Sequence, residues 1–134
     1  MTGDIETVED VERLVRRFYR AAIPDPRLGP VFHDFGIDWY EHIPKLVDFW
    51  AARILDRPGY TGNAVAAHQP VLDRCGFGAA HLARWLELWD EAVDELFTGP
   101  GAARAKERAA MAGEAIGSLI RRHERGIRSL PVAR

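Results

Sequence analysis

The stretch Ala79-Ala-His-Leu82-Ala-Arg-Trp85-Leu86-Glu-Leu-Trp89-Asp-Glu-Ala-Val93-Asp-Glu-Leu96-Phe97 decides the class of fold. Leu82, Trp85, Leu86, Trp89, Val93 and Leu96 recur at steps of three and four residues. On a helix of 3.6 residues per turn they share one side. The spacing predicts a strong helix from about Ala79 to Phe97, ended by Thr98-Gly-Pro-Gly101. Gly76 to Gly78 breaks the chain just before it.

The same period recurs on both sides of this segment. Upstream, Val8, Val11, Leu14, Val15, Phe18, Tyr19 and Ala22 form an apolar stripe behind a Thr7-x-x-Asp10 start signal, and Pro24 and Pro26 end it. Leu28-Gly-Pro-Val-Phe32-His-Asp-Phe35-Gly36 is expected to be a turn carrying two aromatics. A second helix is expected from Asp38, with Trp39, His42, Ile43, Leu46, Phe49, Trp50 and Ile54 facing inward. Pro44 inside it predicts a late start or a small kink. Asp56 to Gly62 is expected to be a loop. Asn63 to about Gln69 is expected to be a short helix limited by Pro70. Downstream, Ala102 to about Arg125 makes the last helix, with a loose tail over 126–134. No strand-like alternation and no internal repeat occurs. The expected fold is all-α, one domain spanning 1–134 with its core at about 8–125.

At 134 residues the chain is long enough for one hydrophobic core. Its net charge of −2 and its interspersed Arg and carboxylate residues form no basic stripe, which argues against nucleic acid as a partner. A single cysteine, Cys75, excludes an intrachain disulfide and suits a reducing compartment. No apolar run approaches the ~20 residues a membrane span needs, and the acidic first ten residues do not form a signal peptide. A cytoplasmic location is expected.

Four side chains carry the candidate chemistry. His68 lies in Asn63-Ala-Val-Ala-Ala-His68-Gln-Pro70. It is either a surface or hydrogen-bonded core histidine, or the proximal ligand of a haem iron, a common role for neutral imidazole. Tyr19, His42 and Trp85 fall on the apolar stripes of three different helices. Tyr19 is either a core aromatic with its hydroxyl at the surface or a donor to a bound ligand. His42 is either a partly exposed helix residue or a gate. The Trp85 indole is donor only, so burial demands an acceptor. If the stripes face one cavity, it holds a ligating base and three polar tips. Competing chemistries lack their signatures: no His-x-x-x-His or Cys-x-x-Cys, no P-loop or dinucleotide fingerprint, no Gly-x-Ser-x-Gly, no Glu-x-x-His pairs. His33, His81 and His123 receive no site, and no catalytic residue is assigned.

The series Phe18-Tyr19, Leu28-Gly-Pro-Val-Phe32, Trp39-Tyr-Glu-His42, Phe49-Trp50, His68 and Trp85-Leu-Glu-Leu-Trp89 resembles the truncated haemoglobins, specifically the bacterial group III class. The resemblance covers roughly residues 8 to 125. It implies a two-over-two helical sandwich around haem b. His68 would ligate the iron, with Tyr19, His42 and Trp85 on the distal side. Phe32, Leu46 and Trp50 would contact the porphyrin, with Lys45 near a propionate. Phe77 is expected on the proximal face. The Gly-Gly motifs of groups I and II are absent, in agreement with group III.

The expected function is binding of O2 and other diatomic gases such as CO and NO. The alternative is an enzyme using the ferrous–oxy form, an NO dioxygenase or a peroxidase-like protein. That enzyme would depend on an external reductase, because the chain carries no flavin or nicotinamide site.

Overall fold

Thr7 opens the first helix as its sequence demands. Its hydroxyl accepts from the Asp10 N–H while the Asp10 carboxylate accepts from the Thr7 N–H. The computed structural model describes residues 3–58 and 63–129. In chain order these form α1 (Val8–Ala22), α2 (Gly29–Phe35), α3 (Trp39–Ile54), α4 (Ala64–Ala67), α5 (Gln69–Cys75), α6 (Ala79–Leu96) and α7 (Pro100–Ser129). Among the described residues there is no strand, only an isolated bridge between Gly3 and Phe97. The all-α expectation holds. No helix is long and apolar enough to cross a membrane.

The four long helices form two pairs. α1 packs on α3, α6 packs on α7, and the first pair crosses the second through α1 on α6 and α3 on α7. This is a two-over-two sandwich. The short helices close one end, with α2 against α5 and both α4 and α5 against α7.

Trp89 occupies the centre. It is fully buried, its indole N–H donates to the Ala105 carbonyl at 3.1 Å, and its ring lies 4.3 Å from that of Trp50 and 5.3 Å from that of Trp85. Ala105 and Ala109 are also fully buried, and their small side chains let α7 approach α6 closely. Val11, Leu14, Val15 and Phe18 of α1 complete this core, each inaccessible to solvent. Burying a large apolar side chain contributes roughly 1.5–3 kcal/mol.

Five boundaries differ from the sequence reading. Residues 29–35 are helical rather than a turn. Pro30 sits in the first turn, where a missing N–H costs little, and left-handed Gly36 (φ 75°) closes the helix. Helix α3 starts at Trp39 despite Pro44, because the Asp38 side chain caps the Tyr40 N–H. Pro70 does not end the histidine-bearing helix but opens a new one, α5. Helix α7 begins at Pro100 and runs to Ser129, so 126–129 are not a tail; 130–134 lie outside the described residues. Likewise the core begins before residue 8. Ile5 is buried, and the Asp4 carboxylate accepts from the N–H groups of Gly101 and Ala102 at 2.9 and 2.8 Å, capping α7. The loop expected over 56–62 falls partly outside the described residues.

Three carboxylates make stability depend on acid. Burial pulls Asp4 up, but N–H bonds from Gly101, Ala102 and Ile5 outweigh it and hold its pKa below the usual range. Asp10 is held down first by the Glu6 N–H. For Asp25, burial is outweighed by Arg84 and the Leu28 and Arg27 N–H groups. A depressed folded pKa contributes stability above the unfolded value, about 3.9, and that stability is lost as pH falls through the folded values. Asp90, raised by burial, acts in the opposite sense but alone. Urea midpoints are therefore expected to fall steeply below about pH 4; a midpoint unchanged from pH 7 to 3 would contradict this account.

Candidate haem and ligand site

His68 lies between α4 and α5, as the residue that precedes the first turn of α5. Asn63 starts α4 by accepting the Ala66 N–H on its side chain. The His68 Nδ1 lies 2.6 Å from the Ala64 carbonyl oxygen. A carbonyl only accepts, so Nδ1 carries the proton. In the neutral ring the Nε2 lone pair is then open, and the backbone bond both fixes the ring and raises its basicity. Phe77, in the link between α5 and α6, has its ring 6.5 Å from that of His68.

His42, in the second turn of α3, is half-buried, and its pKa is lowered. Burial is the largest cause, followed by the charges of Lys45 and of His68. The two imidazoles are thus near enough for a charge on one to oppose a charge on the other. Lys45 is exposed, Leu46 is half-buried one turn beyond His42, and Trp50 is buried in the core against Trp89.

Tyr19 is buried, and burial raises its hydroxyl pKa far above the usual value. The Trp85 indole acts in the opposite sense, as a donor-only group near the phenol would. Aromatic neighbours hold both rings. Phe18 lies 4.7 Å from Tyr19 and 5.0 Å from Trp85, and Phe32 lies 5.8 Å from Tyr19.

Tyr19 and Trp85 therefore meet on the Phe18 ring, and His42 reaches Tyr19 through one other ring. That ring is Trp39, 4.9 Å from Tyr19, 5.2 Å from Phe32 and 5.8 Å from His42. Helical spacing puts Trp39 on the inward face but gives it no site role. Nor does any spacing pair Asp25 with Arg84, whose ion pair spans 59 residues. Asp25 between two prolines was the available signal, since a carboxylate in such a turn serves local N–H groups. His123, given no site, lies in α7 with its Nδ1 3.3 Å from the Asp73 carboxylate of α5.

An all-helical two-over-two fold, with an imidazole held by its own backbone and an aromatic group built on Tyr19, Trp85 and Trp39, is of the globin kind. The group 3 truncated haemoglobin ctb of Campylobacter jejuni is 30% identical over 93 residues, 66% of this chain and 71% of the relative. A crystal structure of the group III truncated haemoglobin from Campylobacter jejuni superposes with a TM-score of 0.77 at 26% identity, covering 90% of this chain and 95% of that one. No family model matches. The chain belongs to the group III truncated haemoglobins, haem proteins of the globin type.

The residues present fit haem. Among the described residues no group of three or more His, Cys, Asp or Glu could hold a metal ion. A macrocycle brings four of its own donors to the iron and asks the protein for one, which the open Nε2 of His68 can supply. Phe32, Leu46, Phe77 and Trp85 are half-buried apolar surfaces of the kind a flat hydrophobic cofactor covers.

Proposed function

We propose that this protein binds O2, and also CO and NO, at a haem b held by His68. The carrying observation is the bond from His68 Nδ1 to the Ala64 carbonyl, which leaves Nε2 as a preset, basic ligand. Haem, when bound, supplies an iron centre able to take a diatomic gas. Phe32, Leu46 and Phe77 wall the ring, Trp50 backs Trp85 in a stacked pair at 5.8 Å, and Lys45 stands by for a propionate.

The distal side chains act in sequence. Tyr19 stays protonated at any physiological pH, because its pKa is raised by burial. With the donor-only Trp85 indole packed near it on Phe18, its own proton is free to point at the gas. Trp85 therefore works through Tyr19 as a support for the donor. His42, kept neutral by burial, offers a second polar contact at the α3 edge.

Optical spectra test the reading. Purified protein given haem is expected to show a Soret band and a ferrous–CO spectrum; absence of both would remove it. Tyr19→Phe is expected to release O2 roughly ten- to hundredfold faster, the factor carried by a charge-assisted hydrogen bond of ~1.5–3 kcal/mol. An unaltered dissociation rate in stopped flow would take Tyr19 out of the site.

A further inference from the structure

Asp25 is the charged residue that the core buries among the described residues, at 6% exposure, and nothing in the haem reading uses it. Its Oδ2 accepts from the Arg27 and Leu28 N–H groups at 3.0 and 3.1 Å, fixing the turn between α1 and α2. Its Oδ1 accepts from Arg84 Nε at 2.9 Å. The turn has no slack. The Gly29 backbone runs against the Ile23 carbonyl so closely that a Cβ there would overlap it, and the Gly29 N–H donates to the Asp25 carbonyl at 2.8 Å.

The two ends of this ion pair lead to the two distal donors. Asp25 follows Tyr19 by six residues and precedes α2, whose Phe32 packs on the Tyr19 ring. Arg84 immediately precedes Trp85 on α6. The carboxylate is buried while Arg84 is one-third exposed, and separation would leave the carboxylate in the core without its charged partner. The directed Nε–H bond of a planar guanidinium also fixes direction better than a point charge would.

We infer that the Asp25–Arg84 ion pair is a positioning element for the distal donors. By tying the α1–α2 turn to α6 beside Trp85, it sets the register between the Trp85 indole and the Tyr19 ring, both packed on Phe18, and through that register how firmly a gas is held. Neither residue touches the ligand. The inference rests on the haem reading for its functional consequence, but the Trp85–Tyr19 register exists in the protein alone.

The test therefore has one readout without haem and one with it. In 15N-labelled protein without haem, the Trp85 indole N–H resonance reports the placement of that ring beside Phe18 and Tyr19. Asp25→Asn keeps an oxygen for the two backbone N–H groups but removes the charge. Arg84→Lys keeps the charge but loses the directed Nε. Both are expected to move the Trp85 resonance and to speed O2 release about tenfold, equivalent to about 1.4 kcal/mol at the donor. Asp4→Asn weakens a comparable carboxylate cap near the far end of α6. It is expected to lower the melting temperature while leaving both readouts at wild-type values. If Asp25→Asn and Arg84→Lys behave like Asp4→Asn, the pair only stabilises the fold and the inference is overturned. If wild-type protein takes up no haem, the haem reading falls, and the Trp85 resonance alone decides the register.

Discussion

His68→Ala is expected to lose haem, or to keep it only in a form without the five-coordinate ferrous spectrum, and added imidazole is expected to restore that spectrum. The apolar walls would survive the substitution, since Phe32, Leu46, Phe77 and Trp85 come from other elements. What vanishes is the one ring nitrogen that α4 orients through the Ala64 carbonyl. The fold should persist, because His68 is half-buried and its hydrogen bond is local, made within four residues. Haem transfer to an excess of apomyoglobin, followed optically, measures the loss, and far-UV circular dichroism checks the helices. An unchanged ferrous spectrum would mean that another residue ligates, and His42 would be the first to examine.

Trp89→Ala is expected to bring the largest loss of stability. Truncating a buried tryptophan typically costs ~3–5 kcal/mol, against ~5–15 kcal/mol for a whole domain. Two particulars place this site at the upper end. Trp89 stacks on Trp85 with planes 9° apart and lies against Trp50 and Phe18, so the void would open where both helix pairs meet. The Ala105 carbonyl would also lose its buried donor. A fall in melting temperature on the order of 10–20 °C is expected. Trp89→Phe should recover part of it by refilling the volume but not the hydrogen bond. If Trp89→Ala melted within a few degrees of wild type, Trp89 would not be the centre of the core.

The long helices were legible because each is a periodic stripe with its own punctuation. Thr7 and Asp10 announce α1 by a reciprocal cap, and the Leu82–Leu96 pattern announces α6. The short helices were harder. In 29–35 there is too little length for a period, and the glycine, proline and aromatics there suit a turn as well as a helix. Pro70 is ambiguous for the same reason: a proline ends one helix and starts the next by the same missing N–H. At the site, residue types were legible and partnerships were not. Tyr19 and Trp85 both stand on inward stripes, yet a period cannot say that they pack on the same Phe18 ring. Asp25 and Arg84 lie 59 residues apart, beyond the reach of any local pattern. The haem and the family came from the combined order of the site residues, and the comparisons with Campylobacter jejuni proteins then established the family.

The cap that Asp4 makes on α7 has a consequence for how the chain is born. Its partners Gly101 and Ala102 lie 97 and 98 residues later. At a synthesis rate of about 5–20 residues per second, residues 3–5 wait on the order of 5–20 seconds for the helix start they will hold. During that interval α1 exposes the apolar stripe that α6 will cover. The nascent protein is therefore most open to wrong association, or to rescue by a chaperone, before α7 emerges, and this contact joins two segments made 97 residues apart.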